Sequence, residues 1–277
     1  MGSASRRHRS PAREKHPPRE RNAGPIIIML VTVVLAAVPL VWSAAINPVH
    51  QYNRHLHNAL RAHEASRGAS PNPALEVTAR QECQAALPCA ERAFGRNAEQ
   101  LEDVLIMLQA YAVHDLHWPQ ARGYGERLLA IQAAKYGATN PRLAPTHQRL
   151  AQAYHGLGEI TAEETALKRV AQLSSDPAAN YDLAEFYSSQ RQYAAALPLY
   201  RNAVAGSLVQ AAQLKASGQD VEWGNALGAA AVRTDQYVKV AKLLGKTAEY
   251  RDGKATLDKI TDELKQRAKK TAAGGAR

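Results

Sequence analysis

Apolar residues recur at helical spacing through almost all of residues 75–265, and no convincing stretch alternates apolar and polar residues as a strand would. The pattern is clearest in residues 177–206, which read PAANYDLAEFYSSQRQYAAALPLYRNAVAG. There, small and large apolar residues fall on one face of each of two short helices, which a turn around Arg191 separates. Alanine is abundant throughout, and it favours helix because it loses no side-chain entropy on ordering. The chain is therefore predicted to be all-α.

The two helices of residues 177–206 resemble one unit of the tetratricopeptide repeat (TPR) family. The first helix carries a leucine, a small residue and a tyrosine, and the second carries aromatic residues and alanines at the family's spacing. These positions are Leu183, Ala184, Tyr187, Tyr193, Ala196, Tyr200 and Ala203. Small residues let paired helices approach closely, while large ones fill the space beside them. A generic alanine-rich helical bundle is the alternative fold.

Neighbouring segments match the repeat less completely, and Gly125 and Glu163 stand where the family has an aromatic and a small residue. The matching residues in three further units are Leu108, Trp118 and Ala121, then Leu150, Ala151, Tyr154, Gly158, Ile160 and Leu167, then Leu227, Gly228, Ala231, Tyr237 and Leu244. The turns are predicted at Leu116, Gly158, Arg191 and Asp235. The longer spacings between turns are similar to the kinesin-light-chain variety of the repeat.

One such unit cannot bury its apolar face alone, so stacked units share a core and the terminal units act as caps. The resemblance implies a right-handed TPR-like solenoid of three to four helix pairs within residues 75–267. Residues 75–97 and 248–267 would cap it, and residues 268–277 would form a disordered basic tail.

The resemblance also implies a concave groove, lined by the first helix of each pair, that binds a protein partner. The groove-facing candidates are Gln148, Gln152, His155, Tyr181, Glu185, Ser188, Asn225 and Arg233. This set lacks the ring of Lys and Asn with which chaperone-binding relatives hold a C-terminal carboxylate, so that ligand is not predicted.

A transmembrane helix is predicted at residues 25–46, before the repeats. From Ile26 to Ile46 the chain reads IIIMLVTVVLAAVPLVWSAAI, without a charged residue. As a helix this segment spans about 31 Å, which matches a hydrocarbon core of about 30 Å. A cleaved signal peptide is the alternative, because small residues at Ser43-Ala44-Ala45 have cleavage spacing. The long basic stretch before the segment favours an uncleaved signal anchor.

The charges beside this segment predict its orientation. Residues 1–21 carry seven Lys or Arg and two acids, so residues 1–24 are expected to be a disordered cytoplasmic tail. The remainder would be exported, most simply into a bacterial periplasm, and would start with a juxtamembrane segment and linker at residues 47–74. The tail has no aromatic residues among its basic ones, so nucleic-acid binding is not predicted.

The two cysteines, Cys83 and Cys89, allow two interpretations. In an exported domain such a pair often forms a disulfide, and the alternative is two small buried residues. Four histidines after the apolar segment, with no two at i, i+4 spacing, are interpreted as part of a solvated interfacial helix rather than a metal site. They are His50, His55, His57 and His63.

The sequence contains no motif for a nucleophile elbow, a phosphate-binding loop or a zinc-activated water. We therefore predict no enzyme activity, no cofactor, no metal and no small-molecule substrate. The predicted function is that of a membrane-anchored scaffold that binds protein partners in an exported compartment. The alternative is a non-catalytic accessory subunit that positions substrate for a partner enzyme or assembly machine.

Overall fold

The computed structural model describes residues 47–67 and 72–274. In these two ranges, ten α-helices and two short 3₁₀ turns follow one another without a strand. The helices are α1 Pro48–Ser66, α2 Pro73–Phe94, α3 Glu102–His114, α4 Trp118–Tyr136, α5 Ala144–Leu157, α6 Ile160–Leu173, α7 Pro177–Ser189, α8 Tyr193–Ala216, α9 Asp220–Leu243 and α10 Thr247–Gly274. The 3₁₀ turns Glu99–Leu101 and Pro141–Leu143 lead directly into α3 and α5.

Four helical segments begin at an Asn-Pro or Asp-Pro pair: α1, α2, α7 and the 3₁₀ turn before α5. The side chains of Asn47, Asn72, Asn140 and Asp176 each accept a hydrogen bond from the backbone N–H two residues later, at 2.8 to 3.0 Å. The following proline has no N–H to leave unsatisfied, and its φ is preset for a helix. These starts are therefore encoded locally.

Three predicted turns are confirmed by their backbone conformation. Leu116, Gly158 and Arg191 have φ angles of 58°, 71° and 58°, in the left-handed region. The N–H of the residue after each of them bonds to the carbonyl five residues earlier. This is the Schellman closure, which satisfies the last carbonyls of the preceding helix.

The fourth predicted turn is wrong. Asp235 lies inside α9, and the turn falls ten residues later at Gly245, where φ is 66°. No Gly or Pro interrupts the chain between Gly228 and Gly245, so nothing local ends the helix sooner. Four of the five positions that resembled a fourth short hairpin lie along this one helix of 24 residues, and the fifth, Leu244, is its C-cap.

The contact between α7 and α8 is the one that the repeat pattern predicts. Ala184 and Ala196 are both fully buried and belong to one apolar cluster with Tyr200 and Val204. Tyr237 of α9 completes that cluster from the next pair. Residues 177–206 thus form the predicted helical hairpin with small residues at its contact.

Gly125 accounts for one departure from the family pattern. A Cβ built at Gly125 would lie 2.2 Å from Nε2 of Gln109 and 2.7 Å from Cδ2 of Leu150. α3 and α5 therefore close onto the backbone of α4 at this point, and an aromatic side chain has no room there.

The apolar core runs through the stack as a series of clusters. The first joins α1 to α4, and the others join α3 to α5, α5 to α7, α7 to α9 and α8 to α10. Each cluster shares at least one helix with the next, and helices consecutive in the chain pack against each other. In the described part of the chain, the architecture is a TPR-like stack of five helix pairs.

The helical domain is longer than predicted at both ends. Residues 47–74 contain α1, whose Tyr52 and Ala59 are buried in one cluster with Ala79 and Ala86 of α2. The predicted linker thus spans only the connection between α1 and α2. At the other end α10 continues to Gly274, so residues 268–274 are helical. The buried positions of α1 and α2 are mostly alanines, which give a weak hydrophobic signal in sequence.

The predicted tail at residues 1–24 and the predicted transmembrane helix at residues 25–46 lie outside the described residues. Within residues 47–67 and 72–274, no helix combines the length and the apolar character that crossing a bilayer requires.

The disulfide interpretation is wrong, and Cys83 and Cys89 are free, buried thiols. They lie six residues apart on one continuous helix, so their Cα atoms are separated by about 9 Å along its axis, which is too far for a bridge. Cys83 contacts Sδ of Met107 and Cys89 contacts Oε1 of Gln51, both at a sulfur hydrogen-bond distance. Burial, assisted by the charge of Glu82, raises the pKa of Cys83 to about 12, which disfavours the reactive thiolate.

Replacing Ala196 by leucine tests the close contact between α7 and α8. The larger side chain has no free volume there, so Ala196→Leu is expected to lower the free energy of unfolding by about 1–3 kcal/mol. Ala195→Leu, one residue earlier at an exposed position, should change it by less than about 0.5 kcal/mol. Urea unfolding followed by circular dichroism measures both. Equal stabilities for the two variants would contradict the contact.

Candidate functional site

An open groove of about 620 Å³ crosses the first helices of three pairs, α3, α5 and α7. α3 packs directly against α5, whereas α5 and α7 make no comparable contact and leave space between them. α6 contributes the residues at the base of that space. The groove is lined by Val113, Leu116, Trp118, Gln148, Ala151, Gln152, His155, Glu163, Leu167, Asp182, Glu185, Phe186 and Ser189.

The apolar part of the groove includes Trp118, Leu167 and Phe186. Trp118 lies against the backbone of α5, where a Cβ built at Gly156 would come within 2.3 Å of the indole ring. Only glycine admits the ring so close, so Gly156 positions this wall of the groove. An aromatic and aliphatic surface of this kind is suited to apolar side chains of a ligand.

Three carboxylates project into the same groove, and the first is Glu163 of α6. Its side chain is 13% exposed, and its Oε1 lies 3.0 Å from Nδ1 of His155 on α5. In the family pattern a small residue stands at the position of Glu163. The structure keeps the α5–α6 hairpin and directs the carboxylate into the groove, where His155 contacts it.

The second carboxylate, Asp182 of α7, bridges the gap to α5. Its Oδ2 accepts a hydrogen bond of 2.8 Å from Nε2 of Gln148. Burial raises the pKa of Asp182 above its usual value, and the charges of Asp176 and Glu185 add to that effect. The Gln148 hydrogen bond and the charge of Arg233 offset only part of it. Asp182 is therefore a partly desolvated anion that its own surroundings do not fully stabilise.

The third carboxylate, Glu185, lies one helical turn after Asp182 and accepts a 2.5 Å hydrogen bond from the Tyr200 hydroxyl. Burial first, and then this hydrogen bond, raise the pKa of Tyr200. The phenol thus remains a neutral donor that holds Glu185 at the edge of the groove. Together the three acids give one side of an apolar groove a negative charge.

The structure brings four of the eight predicted groove residues together. Gln148, Gln152, His155 and Glu185 all line the groove. Gln152 and His155 are exposed, whereas Gln148 is half-buried and engaged with Asp182. These residues lie on α5 and α7, which agrees with a groove lined by first helices.

The other four predicted residues lie outside this groove. Tyr181 packs edge-on against Tyr200, with ring centroids 5.7 Å apart, and Ser188 lies 3.1 Å from the Tyr200 hydroxyl. Arg233 donates to Ser207 at 2.5 Å and lies over the Tyr181 ring. Asn225 is exposed on α9. Tyr181, Ser188 and Arg233 therefore stabilise the junction of α7, α8 and α9.

Most of the residues that line the groove are not among the predicted candidates. Trp118 and Leu167 match the repeat pattern as packing residues, and Glu163 replaces the small residue of that pattern, so none of the three is predicted to face the groove. Nothing in the sequence marks Asp182 as a groove residue, because it lies next to the repeat position Leu183 and is not itself a position of the repeat pattern. A charged residue at a position that the family fills with a small one was the signal that pointed to Glu163.

Among the described residues, no three His, Cys, Asp or Glu side chains converge in a way that would hold a metal ion. The groove's acids are instead spread along two helices and paired with a histidine, an amide and a phenol.

Changing Asp182 to asparagine tests the desolvated carboxylate. Because folding raises the pKa of Asp182, the folded chain binds the proton more tightly than the unfolded chain does, and native stability falls as pH rises above about 3.8 through the folded-state pKa. The Asp182→Asn variant does not lose stability in this way, because asparagine does not ionise. Its side-chain oxygen can still accept the Gln148 hydrogen bond. At pH 7 the variant should therefore melt at a higher temperature than the native chain.

The difference should disappear well below pH 3.8, where Asp182 is protonated in both states. Asp258→Asn, at an exposed position on α10, should leave the melting temperature unchanged across the same pH range. Differential scanning calorimetry measures both variants. A lower melting temperature of Asp182→Asn at pH 7 would contradict the desolvation of this carboxylate.

No sequence model of a protein family matches the chain, and no curated protein matches it. Among solved structures, it is similar to aspartyl phosphate phosphatase F from Bacillus subtilis, with a TM-score of 0.51 and 13% sequence identity. That likeness covers 87% of this chain, which spans 60% of the length of the phosphatase structure.

Two structures of the nearly identical TPR-like repeats of a Podosopora anserina kinesin light chain are also similar. They have 16% and 17% identity, cover 61% and 60% of this chain and 97% and 96% of their own, and both have a TM-score of 0.34, too low to support an inference. At 13% identity the likeness to the phosphatase structure concerns the fold alone.

Proposed function

We propose that this protein is a non-catalytic scaffold whose groove between α5 and α7 binds a segment of a partner protein. The observation that carries the proposal is the combination of an apolar wall with three carboxylates in one open groove on the first helices of the stack. Stacked helical repeats commonly use such extended concave surfaces for binding.

The chemistry of the groove indicates what that segment contains. Trp118, Leu167 and Phe186 offer contact to apolar side chains. Asp182 is partly desolvated and incompletely stabilised, so a cation brought beside it would gain from a strengthened interaction at low local dielectric. The partner segment is therefore one in which apolar residues alternate with lysine or arginine.

We further propose that residues 25–46 anchor the scaffold in a membrane and that the helical stack lies on the exported side. The support is the uncharged run from Ile26 to Ile46 and the concentration of basic residues before it. Tethering raises the local concentration of the groove near membrane-bound partners, which suits a recruiting role better than a freely diffusing one.

Site-specific photocrosslinking tests the groove as the binding surface. A benzophenone amino acid replaces Gln152, which is exposed within the groove, in the full chain expressed in its native membrane. The matched control carries the same group at Gln210, which is exposed on α8 outside the groove. The Gln152 probe should give a discrete adduct that the Gln210 probe does not.

Removing two groove charges then tests the proposed chemistry. Glu163→Gln together with Glu185→Gln keeps the side-chain shapes and should weaken binding about 20- to 30-fold, since each lost ion pair of a half-buried site contributes roughly 1 kcal/mol. The yield of the Gln152 adduct measures this loss, and mass spectrometry of the adduct should identify a basic and apolar peptide. An adduct of unchanged yield, or one with an acidic peptide, would contradict the proposal.

A further inference from the structure

α1 has two faces, and its inner face is fully engaged. Tyr52 donates a 2.6 Å hydrogen bond to the carbonyl of Gln100 and packs edge-on against Phe94. Two of the four histidines predicted to be solvated point inward as well. His55 lies 2.6 Å from Glu82, and His63 lies 3.0 Å from the Tyr111 hydroxyl. The inner face thus binds α1 to α2 and α3.

The outer face of α1 carries a basic stripe formed by His50, Arg54, His57 and Arg61. These residues are spaced by four, three and four positions, so they fall within an arc of about 60° on the helix. All four are exposed. Within the described part of the chain, none of them has an ion-pair or hydrogen-bond partner. Glu64 is an acid on the same side of α1, at the end of the stripe.

Two exposed apolar side chains lie beside the basic stripe, near its two ends. Val49 and Leu60 are separated by three turns of α1 and lie on nearly the same side of it. They are 38% and 43% exposed. Cationic side chains beside exposed apolar ones, on a helix face without a protein partner, are typical of a helix that lies in a lipid headgroup layer.

The position of α1 in the chain selects lipid as the occupant of this face. Ile46 ends the long apolar run, and the next residue, Asn47, caps α1 with its side chain. Asn47 has an extended backbone, with φ −62° and ψ 113°, so the first turn of α1 begins at Pro48. If residues 25–46 span a bilayer, as proposed above, the start of α1 lies at the membrane surface.

We propose that the outer face of α1 binds the headgroups of anionic phospholipids. Guanidinium groups match phosphate oxygens in bidentate geometry, so Arg54 and Arg61 would each contact a headgroup phosphate. Val49 and Leu60 would enter the shallow apolar layer below the headgroups. This contact holds the helical stack at a set orientation to the membrane, because the inner face of α1 is packed rigidly onto α2.

A fluorescent label on the outer face tests this contact in the full chain. Asn53→Cys is labelled with a dye that is sensitive to polarity, since Asn53 is exposed next to the stripe and the native cysteines are buried. The protein is reconstituted into vesicles of phosphatidylcholine, with or without phosphatidylglycerol, and quenched by headgroup spin-labelled lipid. Phosphatidylglycerol should increase quenching and shift emission to the blue. A label at Gln210→Cys, on exposed α8, should not respond.

Arg54→Gln with Arg61→Gln identifies the charges responsible. Each cation contributes about 1 kcal/mol at an anionic surface, so the ratio of lipid-contacting to solvated label should fall about 20- to 30-fold. The matched control, Arg251→Gln with Lys254→Gln, removes the same charge from exposed positions on α10 and should leave the ratio unchanged.

The outcomes separate this proposal from the proposed membrane anchor. Flotation with phosphatidylcholine vesicles reports the anchor alone. A chain that floats but whose Asn53 label is not quenched more strongly with phosphatidylglycerol keeps the anchor and overturns the lipid-binding face. A blue shift in detergent that grows with protein concentration would also overturn it, because a second copy would then cover the face. Failure to float with phosphatidylcholine would overturn the anchor only.

Discussion

Each described helix pair has more apolar surface than it can bury within itself. Burying the remaining surface against neighbouring pairs holds the described helices in one stack. The clusters that join α1 to α4, α5 to α7 and α8 to α10 overlap through shared helices, so no pair has a closed core of its own. Small residues such as Ala184 and Ala196 allow the clusters to share helices, because they let neighbouring backbones approach until large side chains interlock. The loss of one contact therefore weakens its neighbours.

A buried polar network fixes how the first pairs meet. Gln109, Gln132 and Thr146 are almost fully buried on α3, α4 and α5. Thr146 donates to Gln132 at 2.8 Å, and Gln132 donates to Glu102 at 3.1 Å. Partial burial raises the pKa of Glu102, but hydrogen bonds from Gln132, Tyr136 and Lys135 outweigh it and hold the pKa below its usual value. Contacts between alanines alone would let neighbouring helices slide along each other. These hydrogen bonds form only when α3, α4 and α5 are in one register.

The groove and the outer face of α1 arise from the same constraint. Where α3 and α5 pack directly, the first helices form a wall, and where α5 and α7 separate, Gln148 and Asp182 bridge an open space. On α1, packing onto α2 and α3 uses one face and leaves the basic stripe uncovered. Both surfaces are faces of helices that packing within the stack leaves exposed. They carry opposite charge, with acids in the groove and arginines on α1.

Local chemistry in the sequence determined the all-helical fold, the Asx-Pro helix starts, the turns at Leu116, Gly158 and Arg191, and the contact between Ala184 and Ala196, because each depends on residues close together in the chain. Of the eight groove candidates that the repeat resemblance implied, four line the groove. Two outcomes that differ from the predictions follow from unbroken helices: α9 continues past Asp235, and Cys83 and Cys89, six residues apart on α2, remain unpaired. Only the tertiary structure decided that Glu163 and Asp182 share a groove with Trp118, because that arrangement depends on the distances between packed helices, which no single segment of the sequence encodes.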